Sequence, residues 1–237
     1  MRSYGEYCPI ARAAEVLGDR WTMLIVREMN FGVHRFNELE RCLPGISRSV
    51  LAQRLRQMTH AGLVERREDA GTRGTEYVLT PAGRDLKLAL HTLGEWAAKW
   101  AFTDPNPREL DPDLVIRWIS RHVAPDQLPE RRLVVEFDVT EPKRRYWLVL
   151  EPAEVSVCLQ QPGFDTELVV TASTATLYDL YFGRSSVRDA TRAGRMTITG
   201  RPALERAFPR WFTWSTFAPA VREGVRRDAA EPLRSRQ

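Results

Sequence analysis

Cysteine is scarce in this chain: Cys8, Cys42 and Cys158 are its three thiols in 237 residues. Their separation matches neither paired zinc-ligand spacing nor the even-numbered framework of a disulfide-stapled domain, so no metal and no cofactor are expected. Long hydrophobic runs are missing too. No stretch reaches the roughly 18 apolar residues of a membrane span, and no apolar leader with a processing site opens the sequence. The expectation is a cytoplasmic protein without a membrane partner. Four histidines, His34, His60, His91 and His122, are scattered, and the G-x-S-x-G, H-E-x-x-H, phosphate-loop and dinucleotide patterns are absent. No catalytic residue is assigned. Asp138, Glu141 and Glu151, near expected strands, offer material for an enzyme or carrier acting on a hydrophobic ligand, but charged turn residues account for them more simply.

A hydrophobic content of 43% argues against wholesale disorder, and the length suits one large domain or two ordinary ones. The formal charge of +4 is modest but unevenly placed. Between Arg41 and Arg73 there are seven arginines against Glu65, Glu68 and Asp69. Such a concentration is what a phosphate-binding surface requires.

The same stretch has a pattern. A short amphipathic segment runs from Phe36 to Leu39, Pro44 and Gly45 break it, and Ser47 can cap a second segment whose Val50, Leu51, Leu55 and Met58 recur at helical spacing. This predicts a helix, a turn and a helix. Opposite Leu51, Leu55 and Met58 lie Arg48, Ser49, Ala52, Gln53 and Arg56, a face with hydrogen-bonding groups for base edges and phosphates and no carboxylate. An ordinary solvated helix face would read the same way, so the flanking segments decide.

Before this stretch, Cys8-Pro9 opens a helix from Ile10, where exposed amides and the helix dipole can lower a thiol pKa and raise its reactivity. A packing or capping role for Cys8 is the alternative. Trp21 to Met29 is a strongly apolar helix. After Gly62, Leu63 to Arg67 and Glu76 to Leu79 read as two strands around Gly71 and Gly74, which makes a wing carrying Arg66, Arg67 and Arg73 towards the backbone or minor groove. Ala82 to Trp100 is a long helix with Leu86, Leu90, Leu93, Trp96 and Trp100 broadly on one side. It is expected to pair with a second copy, or else to pack against the second domain.

Three segments in order, CPIARAAEVLGDRWTMLIVREM, HRFNELERCLPGISRSVLAQRLRQMTHAGLVERRE and TEYVLTPAGRDL, resemble the HxlR-type winged helix-turn-helix regulators over roughly residues 8 to 100. The resemblance implies a homodimer that binds double-stranded DNA, with Ser47 to His60 as the reading helix and Glu65 to Leu79 as the wing. Some members use a cysteine at the position of Cys8 as a redox switch.

Phe102 to Asp113 is rich in proline and charge and reads as a boundary. The expected organisation is a winged domain over 1–102, a linker with a short helix over 103–129, a second domain over 130–222 and a flexible tail over 223–237. In the second domain, strands are expected at Leu133 to Val139, Arg145 to Leu150, Glu154 to Leu159, Leu168 to Val170 and Met196 to Thr199. Helices are expected to Tyr181, from a cap at Ser173 or Thr174, and from Pro202 to Phe208. The stretch DTELVVTASTATLYDLYFGRSSVRDATRAGRMTITGRPALERAF resembles the C-terminal part of sterol-carrier-protein-2-like domains, α/β folds around an apolar tunnel. That implies an effector domain for a hydrophobic small molecule, and an α+β protein overall. Tyr178, Tyr181, Phe208, Trp211 and Trp214 are candidate pocket-lining residues, with simple core packing as the alternative.

Overall fold

The computed structural model describes residues 3–69 and 74–230. The chain divides into two compact units, Met1–Leu93 and Gly94–Gln237.

In the first unit, α1 (Pro9–Leu17), α2 (Thr22–Asn30), α3 (Phe36–Cys42) and α4 (Arg48–His60) precede the antiparallel pair β1 (Val64–Asp69) and β2 (Gly74–Leu79). Ile25, Leu39, Leu51, Leu55 and Met58 are buried in a common core, each a stabilisation of roughly 1.5–3 kcal/mol. Ser47 caps α4 by accepting from the Val50 N–H at 3.3 Å. At its other end Gly62, with φ +73°, allows Leu63 N–H to reach the Met58 carbonyl at 2.9 Å and Gly62 N–H to reach that of Thr59 at 3.1 Å. This closes the helix and turns the chain into β1.

The long helix α5 (Pro81–Trp100) begins in the first unit and ends in the second. Thr80 ties its start to the preceding turn: Oγ1 donates to the Gly62 carbonyl at 2.6 Å and accepts from Gly83 N–H at 3.1 Å.

The second unit is built on five strands, β3 (Leu133–Val139), β4 (Arg144–Leu150), β5 (Val155–Cys158), β6 (Leu168–Ala172) and β7 (Met196–Gly200), in the order β5-β4-β3-β6-β7. β3 and β6 run parallel, with Val135 opposite Leu168, and the other neighbours are antiparallel. The parallel pair is central and its apolar residues are buried as that position demands. The helices are α6 (Pro112–Arg121), α7 (Thr174–Tyr181), α8 (Val187–Arg192), α9 (Pro202–Ala207) and α10 (Ala218–Ala230). Asp111 caps α6, and Ser173 and Ser186 cap α7 and α8.

The architecture is α+β, a helical winged region followed by a separate mixed α/β region. Its boundaries differ from the sequence reading in three places. The units part within α5, at Leu93–Gly94, not after residue 102. The short helix expected within the linker is α6, but it belongs to the second unit: its Val115, Ile116 and Ile119 are fully buried in the second core, because one face of this helix is wholly apolar. Residues 223–230, assigned to a flexible tail, are helical in α10, which buries Ala218 and Val221.

Candidate nucleic-acid interface

The turn between α3 and α4 is shaped by Gly45 at φ +85° and by Ile46 N–H donating to the Leu43 carbonyl at 3.1 Å. With Leu51, Leu55 and Met58 committed to the core, helical geometry turns Arg48, Ser49, Gln53 and Arg56 to solvent, and all four are exposed. Arg48 is the most constrained of them. Its guanidinium donates to the Glu40 carboxylate and, at 3.2 Å, to Asn37 Oδ1, while lying 5.0 Å from the Phe36 ring centre. Ser49 Oγ is 3.1 Å from Ser47 Oγ. Gln53 and Arg56 make no side-chain hydrogen bond or ion pair among the described residues, which leaves their donors to an incoming partner.

The cluster of arginines is less uniform than a charge count implies. Arg54, on the other side of α4, is ion-paired with Asp19 and donates to Gln57 Oε1 at 2.6 Å, so it braces α4 against the turn before α2. In the wing, Arg66 opposes Tyr77 and reaches Thr75 Oγ1 at 3.4 Å. Arg67 is paired with Glu65 at 2.7 Å and is exposed. Arg73 lies outside the described residues.

One contributor escaped the sequence reading. Arg35 pairs with Glu76 as an isolated β-bridge, and Tyr77 N–H donates to the His34 carbonyl at 2.8 Å, so the segment before α3 adds a third line of chain to the wing. Its guanidinium sits 3.7 Å from the Glu76 carboxylate. A bridge this short leaves no periodicity to detect.

The face proposed for self-association divides along α5. Leu86 and Leu90 are partly buried against the core of the first unit, so these two pack within their own chain. Leu93, Trp96 and Trp100 remain 46%, 58% and 55% exposed, joined by Leu88, which the sequence reading did not name. Arg227 lies over the Trp100 ring at 4.3 Å.

Of the five aromatic residues expected around a pocket, four take the alternative, core packing. Tyr178, Tyr181, Phe208 and Trp211 are buried in the core of the second unit. Phe208 packs edge-on against Trp211 at 5.8 Å and against Phe212 at 5.2 Å, and Tyr181 stacks on Trp118 at 5.4 Å. Close ring packing of this kind is worth about 0.5–1.5 kcal/mol per pair beyond the area buried. Trp214 differs, being half-buried at the wall of a surface cleft.

Cys8 occupies the cap position of α1 without a side-chain capping bond and is partly exposed, whereas Cys42 is buried. Among the described residues no cluster of His, Cys, Asp and Glu could hold a metal, and no helix is long and apolar enough to cross a membrane.

The sequence profile of the HxlR-like helix-turn-helix family matches residues 16–105. The HTH-type transcriptional regulator YvaP of Bacillus subtilis is 37% identical over 97 residues, which are 40% of this chain and 90% of YvaP. The chain belongs to the HxlR-like family. The HTH-type transcriptional regulator Mb3122 of Mycobacterium bovis is 41% identical over 109 residues, 46% of this chain. The matched region spans 65% of that relative's length. Among solved structures, the reduced form of the transcriptional regulator YodB from B. subtilis is 32% identical, covers 40% of this chain and 96% of its own, and superposes with a TM-score of 0.37. The HxlR-like profile contains α2 to α4 and the wing, and it ends before α6.

Proposed function

We propose that this HxlR-like chain is a cytoplasmic DNA-binding transcriptional regulator, and a repressor, that acts as a homodimer on a palindromic operator. The observation that carries the reading is the outer face of α4, where Arg48, Ser49, Gln53 and Arg56 stand exposed together without a carboxylate among them. In this reading α4 enters the major groove. Arg56 and Gln53 address base edges, and Arg48 exchanges Glu40 for phosphate. Arg66, Arg67 and Arg73 follow the backbone from the wing. The exposed Leu93, Trp96 and Trp100 supply the contact between copies, which sets two reading helices about 34–36 Å apart. The names of the relatives, all transcriptional regulators, support this over an enzyme.

The second unit is assigned to effector sensing, by its resemblance to sterol-carrier-protein-2-like domains. A hydrophobic molecule entering its core would have to displace packed rings, and would regulate only through different affinities for DNA-competent and incompetent states. The test is fluorescence anisotropy with duplexes tiling the chain's own upstream region, combined with sedimentation. The expected result is salt-sensitive binding of two chains per site. A folded protein that stays monomeric and binds no duplex at low ionic strength would overturn the proposal.

Redox control through Cys8 is the second reading, favoured by the accessible thiol at the start of α1. C8S should then bind DNA after oxidant treatment that releases the wild type. Equal release of both would exclude Cys8 as the switch.

A further inference from the structure

A cleft of about 900 Å³ lies within the second unit, between the segment after α7, α8 and the first turns of α10. Four arginines line it, Arg184, Arg188, Arg222 and Arg226, against a single carboxylate, Asp189. Such an excess calls for counter-charge, so the partners of each cation matter. Arg184 is satisfied internally: it is ion-paired with Asp104 and donates to the Phe102 and Thr103 carbonyls at 2.9 and 2.7 Å. Arg188, Arg222 and Arg226 form no ion pair among the described residues. Acids on α10 do not serve them, because Glu223 is paired with Lys99 and Asp228 with Arg227. Asp189 accepts from Ser186 Oγ at 2.6 Å at the start of α8.

The backbone is arranged to keep these cations together. Arg222 and Arg226 are four residues apart on α10, so they share a face and repel each other until an anion intervenes. Gly183, at φ +73°, has no side chain where a Cβ would come within 2.6 Å of Ala218 Cβ and 2.7 Å of Arg222 Nη1. Its bareness lets α10 seat closely and bring the Arg222 guanidinium to the wall.

Trp214 is the apolar counterpart. It is a non-glycine residue at φ +56°, a conformation that persists only where its surroundings enforce it. Here both neighbours are pinned, Thr213 N–H to the His122 carbonyl at 2.7 Å and Ser215 N–H to the Tyr181 carbonyl at 2.9 Å. The ring packs on Phe212 at 5.3 Å and lines the cleft.

We propose that this cleft binds a small organic anion, a carboxylate, sulfonate or phosphate ester on a flat apolar body, with Arg188, Arg222 and Arg226 on the charge and Trp214 on the body. A concave wall with an aromatic side fits such a molecule better than it fits a duplex, which needs a convex or extended surface. The binding follows from the second unit alone, whether or not the chain reads DNA.

The test is calorimetric titration of the full chain with 8-anilinonaphthalene-1-sulfonate, beside its uncharged analogue N-phenyl-1-naphthylamine. The expected result is saturable one-to-one binding of the sulfonate, weakened roughly tenfold or more in R222E/R226E, as loss of charge-assisted bonds requires. It should be unchanged in R192E, whose exposed arginine on α8 lies outside the cleft. If R222E/R226E fails to fold, R188Q/R226Q, which alters two exposed side chains, carries the same expectation. No saturable binding by the wild type, equal affinity for the uncharged analogue, or wild-type affinity in a folded double variant overturns the proposal. Loss of duplex affinity with unchanged sulfonate binding also overturns it and gives the cleft to nucleic acid.

Discussion

Arg48 at the first turn of α4 is paired with Glu40 on α3, so the leading cation of the exposed face of α4 is held by the helix before it. Both side chains reach solvent, and such pairs contribute at most about 1 kcal/mol, which a DNA phosphate can outbid. E40Q should therefore bind duplex somewhat tighter than wild type. R48A and R56A should bind weaker, R56A by about 1–3 kcal/mol on a cognate site. Anisotropy across a salt series, with unchanged melting temperatures, is the measurement. Weaker binding by E40Q would show that the pair is needed intact.

The wing predicts a different signature. Arg66 and Arg67 are exposed on β1, where they can meet backbone but few base edges. Replacing Arg66 by alanine should weaken all duplexes alike and reduce the slope of log affinity against log salt by about 1. A sequence-selective loss would place Arg66 against bases.

Along α5 the two faces should separate stability from assembly. L90A removes a half-buried contact with the first unit's core and should cost about 1–2 kcal/mol, less than a fully buried leucine. W96A should leave denaturant unfolding near wild type and lower the dimer fraction in sedimentation, since its side chain is 58% exposed. An undiminished dimer in a W96A/W100A double variant would move the contact elsewhere.

Tyr146 offers a pH test. Burial in the second core pushes its hydroxyl pKa well above the ordinary 10.0, and its hydrogen bond to the Asp113 carboxylate, 2.5 Å long, pushes it further. The folded chain thus keeps a proton that the unfolded chain releases above about pH 10. The associated stability is whole below that pH and declines as pH rises towards the folded value. Thermal melts from pH 8 to 11 should fall more steeply in wild type than in Y146F. Parallel curves would remove Tyr146 as the cause.

The helix α4 was legible in the sequence because several local rules agree there. Pro44 and Gly45 break the chain, Ser47 caps, and Leu51, Leu55 and Met58 mark the inner face, which also separates Arg56 from Arg54. The bridge of Arg35 to Glu76 had no such pattern, being a single pair between distant segments. The helix of α10 was hidden by charge, since its buried side is only Ala218, Val221 and their neighbours in a stretch dense in charges of both signs. The aromatic residues near the end of the chain show a different limit. Tyr181, Phe208 and Trp211 have the composition of either a lining or a core, and only their close packing separates the two. The arginine cleft assembles from α10 and the segments around α8, so no window of sequence contains it.

The parallel pairing of β3 with β6 joins strands separated by the whole β4–β5 excursion, whereas the first unit is made mostly of helices and one neighbouring hairpin. Contacts between distant positions are slow to form because their loop must close before anything is gained. During synthesis the winged region is therefore expected to mature while the sheet is still waiting for β6 to leave the ribosome. For that interval the nascent protein would carry a finished winged head ahead of an unassembled sheet.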